Sequence, residues 1–285
     1  MSASTVPRTR PRRAAWRRHG NLTVGAALTA LIVLMGLFAP LLTSHDPYAQ
    51  DLSQMLLPPS SAHLFGTDEY GRDLFTRVLY GARLSLLEIL LSVSLALGIG
   101  LPLGLIAGYY GGRVDQVITW SSDILYAFPG IVLAILIVSI LGTSLVNMLI
   151  AISIFSIPVY VRLSRSLSLS LKDREYTEAA RALGAGTPRV MTVHILRNAL
   201  APILVQATLT AGEVVLSAAG LSFLGLGAQP PAAEWGAMMS TGRNYLGVAT
   251  HLSLFPGLAI TLLVLGLNLL GDGLRDQLDP RLRGR

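Results

Sequence analysis

Residues 84–108 read LSLLEILLSVSLALGIGLPLGLIAG, and this stretch decides the fold. Glu88 is the only ionisable residue in it. An α-helix rises 1.5 Å per residue, so 25 residues extend about 37 Å, which exceeds the roughly 30 Å of hydrocarbon in a bilayer. The stretch therefore predicts a membrane-spanning helix.

The composition of the whole chain agrees with this prediction. Of its 285 residues, 52% are hydrophobic and only 13% are charged, and the mean hydropathy is +0.58. Such a chain has too few polar side chains for an ordinary soluble surface. We predict an all-α, polytopic bundle of six membrane helices, at about 22–43, 84–108, 117–141, 145–161, 200–222 and 252–271. The first run follows an arginine-rich stretch, as in a signal peptide, but its apolar core is long enough to be a retained span.

The basic residues predict the orientation, because Lys and Arg resist translocation across the membrane. Placing both termini in the cytoplasm puts all but four of the 22 basic residues on the inner side. The four on the outer side are Arg72, Arg77, Arg83 and Arg243. Three connections are long: two external ones at about 44–83 and 223–251, and a cytoplasmic one at about 162–199.

Several kinds of chemistry are excluded by the residue inventory. The chain has no cysteine, and Lys172 is its only lysine, with no glycine-rich loop before it. A phosphate-binding loop needs such a lysine, so the chain cannot hydrolyse ATP by that mechanism. No G-x-S-x-G nucleophile elbow occurs. The net charge of +6 is interleaved with apolar runs instead of forming one patch, which argues against nucleic acid.

A metal site is not indicated either. Asp68, Glu69 and Asp73 lack the alternating ligand spacing of a calcium loop. Gly66 and Gly71 suit turns, so we interpret this segment as charge-paired support for the outer end of span two. The five histidines do not recur at i, i+4 on one predicted helix, which leaves them as surface or interfacial residues; they are His19, His45, His63, His194 and His251.

The cytoplasmic connection contains the string EYTEAARALGAGTPRVMTVHILRNALAP from residue 175 to 202. Its acidic start and small residues predict a short helix that ends at Gly184 in a left-handed conformation. Thr187 and Pro188 then fit the N-cap and first residue of a second helix. This helix, bend and helix would project from the membrane with a narrow surface of small residues that suits another protein's groove. The predicted docking residues are Glu175, Glu178, Ala179, Ala180, Leu183 and Gly184.

Here the sequence resembles a known family. EAARALG resembles the EAA loop of importer-type ABC permeases, the segment that docks on the cytoplasmic ATPase. Three more strings resemble the C-type permeases of the dipeptide, oligopeptide, nickel and glutathione importers, and with the EAA loop the resemblance covers about 21–280. They are FGTDEYGRDLFTRVLYGARLSL at 65–86, LSFLGLGAQPPAAEWGAMM at 221–239 and NLLGDGLRDQLDP at 268–280.

The resemblance implies a non-catalytic permease subunit in the bacterial inner membrane that moves peptides, glutathione or nickel chelates by alternating access. It implies four kinds of partner: a B-type permease, two ATPase subunits, an extracytoplasmic binding protein and the bilayer. ATP and magnesium are then cofactors of the ATPases and not of this chain. The implied organisation is a tail, first helix and external loop at 1–82, followed by a permease core at 83–285 with the EAA loop at about 164–199.

Ionisable residues inside the bilayer usually face a cavity or a partner. Glu213 lies near the middle of span five, where it either attracts a substrate amino group in the translocation pathway or pairs with a neighbouring helix. Asp123 is a second candidate for the pathway, although its place near the cytoplasmic end of span three favours a structural cap or pair. Glu88 lies close to the outer interface, where we expect water to reach it.

Two other functional classes are weighed against the importer subunit. A self-sufficient secondary carrier typically has inverted repeats and paired broken helices near the midplane, which this sequence does not clearly offer. A membrane enzyme needs a convergent nucleophile, metal or acid–base pair, which the inventory does not supply.

Overall fold

The computed structural model describes residues 12–278, with side chains from residue 20 onward. The described chain is helical and contains no β-strand, only one isolated bridge between Thr67 and Asp73. Five helical segments are long and apolar enough to cross a membrane, or six when one bent pair is counted as a single span. The predicted fold class is confirmed. Of the predicted cytoplasmic charges, Arg8, Arg10, Arg281, Arg283 and Arg285 lie outside the described residues.

The helices follow one another in the predicted order. They are α1 (Arg12–Leu37), α2 (Ala39–Leu42), α3 (Leu74–Tyr110), α4 (Gly112–Tyr126), α5 (Gly130–Leu141), α6 (Leu145–Leu171), α7 (Glu175–Ala182), α8 (Thr187–Arg189), α9 (Arg197–Phe223), α10 (Trp235–Gly242) and α11 (His251–Leu278). A π-helical stretch, Val190–Leu196, joins α8 to α9, so that residues 187–223 form one helical segment.

Several spans have different bounds from the predicted ones. The fourth predicted span ended at residue 161, but α6 continues to Leu171. Hydropathy falls where a helix leaves the hydrocarbon, whereas the helix itself continues because each turn still satisfies its own backbone hydrogen bonds. The same reason explains why α3 begins ten residues before the predicted start of the second span.

The third span is broken. α4 and α5 meet at an angle of 87° across Ala127, Phe128 and Pro129. Pro129 has no N–H to donate and disfavours a helical residue before it, which accounts for the break. Asp115 of α4 receives two hydrogen bonds from the Arg165 guanidinium, at 2.5 and 2.6 Å, so α4 is fastened to α6.

Close helix packing depends on glycines that recur at every fourth residue of the second span. Gly100, Gly104 and Gly108 of α3 lie against the backbone and small side chains of α6 between Ile157 and Ser168. A Cβ at Gly108 would lie 2.6 Å from the Arg165 carbonyl oxygen, so a larger residue cannot be accommodated without moving a helix.

Two layers lie outside the bundle. The segments around 44–73 and 224–250 cover the ends of α3, α9 and α11 that the basic residues predict to be external, and we call them the external cap. At the opposite end, which is predicted to be cytoplasmic, α7 and the start of the 187–223 segment project beyond α3 and α6, and we call residues 172–196 the cytoplasmic knob.

Candidate functional site

The cytoplasmic knob turns at Gly184, where φ is +86°. The N–H of Gly184 donates to the Arg181 carbonyl at 2.9 Å, and the N–H of Ala185 donates to the Ala180 carbonyl at 3.0 Å. This pair of bonds is the Schellman ending of an α-helix, which requires a left-handed residue at the position of Gly184. The predicted glycine bend is therefore confirmed. The predicted start of the next helix is one residue off, because Gly186 is the N-cap and Thr187 is already helical.

The base of the knob is tied to the bundle. The Thr177 hydroxyl is buried and donates to the Leu171 carbonyl at 3.0 Å. The Arg181 guanidinium lies 5.3 Å from the centre of the Tyr109 ring of α3. Val190 and Ile195 are fully buried in a small apolar cluster that includes Leu105 of α3. These contacts fix the direction in which the knob projects.

The outer surface of the knob is open. Glu175, Glu178 and Ala179 are exposed, and Ala180 is half-buried. Leu183 is 89% exposed, the largest exposed fraction among the large apolar side chains that the structure describes. The structure thus gathers the predicted docking residues on one projecting element. Residues 20–278 cover little of Leu183, so that side chain is accessible to another molecule.

The knob leads directly into the membrane. Residues 187–223 form one helical segment that begins at the knob and carries Glu213 about 39 Å further along. The segment includes the π-helical residues Val190–Leu196, a rare geometry that often occurs at functional sites. The knob and Glu213 therefore lie on one helical segment.

Glu213 projects from the side of α9 that faces away from the core. Its sequence neighbours Gly212 and Val214 are buried, whereas Glu213 and Leu216 are exposed, Leu216 by 61%. No ion pair or hydrogen bond of the Glu213 carboxylate is found among residues 20–278. A carboxylate at this depth is costly in lipid, so its surroundings must be a watery cavity or another protein.

Asp123 forms an ion pair on a different exposed face, and it is not brought together with Glu213. Its Oδ1 accepts a hydrogen bond from Arg162 at 2.7 Å, and both side chains are about half exposed. The Arg162 guanidinium also stacks over Tyr126, 3.8 Å from the ring centre. The structural pairing expected for Asp123 is present.

The charged residues of the first external segment fix the cap, as the sequence indicated. Asp68 accepts a hydrogen bond at 2.6 Å from Arg72 and lies 3.4 Å from Nε of Arg77. Arg77 donates to the carbonyls of Pro47, Pro231 and Ala232, and so joins both external segments to α3. Burial raises the pKa of Glu69, which lies 3.2 Å from Arg72.

Asp73 begins α3. Its Oδ2 accepts the N–H of Thr76 at 2.8 Å, which makes it the N-cap, and its Oδ1 lies 2.9 Å from Nδ1 of His63. The other ring nitrogen of His63 is bonded to Gln54 at 2.8 Å. Among the described residues, no group of three His, Asp or Glu side chains is arranged to hold a metal ion.

One group was placed wrongly from the sequence. Glu88 was expected to reach water, but it is only 1% exposed, because α3 buries it against the loop before α10. There it meets the charge of Glu234, which is also 1% exposed. Glu234 accepts the N–H groups of Gly236 and Ala237 at 2.8 and 2.7 Å, while Trp235 donates to the Val78 carbonyl of α3 at 3.0 Å. The burial of Glu88 could have been predicted from the sequence, because Glu88 lies on the same helical face as Val78, Gly81 and Ser85.

Comparison with known proteins gives two family matches. Residues 100–284 match the family described as binding-protein-dependent transport system inner membrane component. Residues 12–59 match the N-terminal TM domain of oligopeptide transport permease C.

Individual relatives align over almost the whole chain. The dipeptide transport system permease protein DppC of Alkalihalophilus pseudofirmus is 52% identical over 260 residues, covering 91% of this chain and 86% of that protein. The probable D,D-dipeptide transport system permease protein DdpC of Escherichia coli is 48% identical over 272 residues, covering 95% and 91%. The glutathione transport system permease protein GsiD of Pectobacterium atrosepticum is 45% identical over 277 residues, covering 96% and 92%.

A solved structure shares the fold. A chain of the inward-facing MetNI methionine ABC transporter superposes with a TM-score of 0.55 at 20% identity, covering 69% of this chain and 93% of that chain. The family match, the long alignments and the apolar spans agree on one assignment. This chain is a multi-pass inner membrane protein that belongs to the binding-protein-dependent transport system inner membrane components, the permeases of bacterial ABC importers.

Proposed function

We propose that this permease is the C-type subunit of an importer for small peptides. It pairs with a related B-type permease and two ATPase subunits, which use ATP and magnesium, and receives substrate from an extracytoplasmic binding protein. Peptides are the substrate class because relatives at 45–52% identity are named for dipeptides, D,D-dipeptides and glutathione, itself a tripeptide. Both termini lie in the cytoplasm in this proposal, the first helix and external loop end near residue 82, and the permease core follows.

The observation that carries the proposal is the continuity between the knob and the membrane. The exposed residues Glu178 and Leu183 precede the bend at Gly184, and the helical segment that follows this bend runs from residue 187 past Glu213. Movement of an ATPase bound to the knob would tilt this segment and change access to the membrane face that carries Glu213. The chain has no phosphate-binding loop of its own, so the work must come from another subunit.

Replacing Gly184 tests the docking role. Gly184→Val places a β-branched residue at φ +86°, which costs roughly 1–2 kcal/mol or more in the bend and should misdirect α7. We expect ATP-driven peptide uptake in proteoliposomes of the assembled transporter to fall about tenfold or more.

Gly142→Val is the matched control. Gly142 has φ +92°, and like Gly184 it has open space where a Cβ would point, but it lies at the other end of the bundle. If the two variants lose uptake and subunit assembly to the same extent, the knob has no special role and the proposed docking surface is wrong.

Glu213 is proposed to line the translocation pathway and to attract the substrate's amino group. Glu213→Gln should lower the uptake of peptides with a free amino terminus several-fold, while complex assembly and basal ATP hydrolysis persist. Asp272→Asn, an exposed carboxylate on α11, is the control and should leave uptake unchanged. Loss of assembly in Glu213→Gln would instead assign the carboxylate to a structural pair with the second permease.

A further inference from the structure

Two carboxyl groups are buried together at the outer end of the bundle. Glu88 belongs to α3 and Glu234 to the loop before α10, and each is 1% exposed. The loop of Glu234 lies against the face of α3 that carries Glu88, because Trp235 donates to the Val78 carbonyl at 3.0 Å. The Trp235 ring also occupies the space beside Gly81, and Val78, Gly81 and Glu88 share one helical face. Two carboxylates in a site that excludes water repel each other strongly, so both cannot be ionised unless a cation lies between them.

No basic side chain is paired with either group within residues 20–278. On α3, Arg77 is engaged by Asp68 and backbone carbonyls, and Arg83 is exposed above Tyr80. α10 has no charged residue, and Arg243 after it stacks on Phe223.

The remaining neighbouring elements supply no counter-charge either. On α9, the Ser222 hydroxyl is directed at the Met148 sulfur, and Glu213 points away from the core. The part of α6 that packs on α3 near Ser92 has no charged residue, and His251 of α11 is bonded to the Thr67 carbonyl.

The hydrogen bonds show which of the two groups carries the charge. Both oxygens of Glu234 accept backbone N–H groups, one from Gly236 and one from Ala237, and a carboxylate is the form that accepts in this way. Oε1 of Glu88 is buried and has no hydrogen-bond partner, which is costly for an ionised oxygen and tolerable for a neutral acid. The proton therefore belongs to Glu88.

We propose that Glu88 and Glu234 form a proton-binding site, in which one proton is held on Glu88 while α3 is packed against the loop before α10. When these two elements separate, water enters, Glu88 ionises and the proton passes to the solvent. The link of this separation to opening of the outer gate rests on the proposed function, but proton binding by the packed form does not.

The sign of the pH effect follows from the burial of Glu88, because a carboxyl group removed from water and placed near an ionised Glu234 favours its protonated form in the packed state. A carboxyl site with a raised pKa stabilises the packed form fully below the ordinary carboxyl pKa. That stabilisation is lost as pH rises through the raised value. The wild-type complex should therefore become less stable between weakly acidic and alkaline pH, and a permanently neutral side chain at residue 88 should remove part of this loss.

The experiment measures the thermal unfolding of the purified transporter complex from about pH 5 to about pH 9. Glu88→Gln mimics the protonated acid, so its melting temperature should exceed that of the wild type by about 2 °C or more at high pH, and the difference should shrink towards pH 5. Asp46 is an exposed external carboxylate, so the melting temperature of Asp46→Asn should change with pH as that of the wild type does. Equal pH dependence of Glu88→Gln and wild type would overturn the proposal.

A second measurement does not depend on stability. Infrared spectra at neutral pH should contain the C=O stretch of a buried protonated carboxylic acid, and Glu88→Gln should lack it. A band unchanged by Glu88→Gln would contradict the assignment to this residue.

Stabilisation of the wild type by sodium or calcium at fixed high pH, absent in Glu88→Gln, would show that a cation and not a proton occupies the pair. These measurements do not involve peptide uptake. The proton site can therefore be disproved while the proposed function stands, and the proposed function can be disproved while the proton site stands.

Discussion

The external cap and the cytoplasmic knob are built on opposite principles. In the cap, Asp68, Arg72 and Arg77 are each at most 5% exposed, and Asp68 forms ion pairs with both arginines. In the knob, Glu178 and Leu183 point outward and touch little of their own chain. The cap thus pairs its charges internally, whereas the knob presents the side chains that the proposed function assigns to the ATPase contact.

The largest effect of a substitution on stability is expected in the cap. Arg77→Met removes the donor to three backbone carbonyls from two separate segments. It should destabilise the fold by about 3 kcal/mol, because the buried Pro47 carbonyl loses its donor and buried Asp68 loses one of its two arginines. Thermal unfolding of the complex and the rate of proteolysis in the external segments measure it. Arg83→Met is the control, since Arg83 is exposed. Equal behaviour of the two variants would show that the cap does not depend on its buried charges.

A substitution on the knob should weaken binding of the ATPase and leave the stability of the fold unchanged. Leu183→Asp should leave the melting temperature of the permease pair unchanged, because Leu183 is 89% exposed. Its affinity for the ATPase subunits should fall about tenfold or more, which corresponds to about 1.4 kcal/mol lost on burying the new charge. Val248→Asp is a matched control, because Val248 is 82% exposed but lies in the external cap. Titration of the ATPase against the permease pair provides the measurement, and an unchanged affinity would remove Leu183 from the interface.

Local features of the membrane spans and of the knob could be predicted from the sequence. A run such as 84–108 has no other stable conformation in lipid than a helix, and Gly184 was identifiable because an acidic start, small residues and a glycine specify a helix and its end. The glycines at every fourth residue of α3 correctly indicated close packing.

Features that depend on distant partners could not be predicted. Glu88 looks like an interfacial residue until the fold brings Glu234 to it from 146 positions further along the chain. The third span was predicted as one helix at 117–141, but it is bent by 87° at Pro129, and α4 is fastened to α6 through Asp115 and Arg165. Exposure of Glu213 is likewise decided by which side of α9 the core occupies.

The smallest effect is expected from the ion pair between Asp123 and Arg162. Both side chains are about half exposed, so the pair should contribute only about 0.2–1 kcal/mol to stability, even though the atoms lie 2.7 Å apart. A double-mutant cycle of Asp123→Asn and Arg162→Gln, measured by thermal unfolding of the complex, gives this coupling directly.

Peptide uptake by the same variants distinguishes the two roles of Asp123. If the pair only fastens α4 to α6, the charge-reversed double variant Asp123→Arg with Arg162→Asp should restore both stability and uptake, because the attraction is preserved. If Asp123 faces the translocation pathway, the reversed pair should restore stability and still transport poorly, since the charges that a zwitterionic peptide meets have exchanged places. A coupling well above 1 kcal/mol would contradict the exposed position of the pair and indicate that a partner subunit buries it in the assembled transporter.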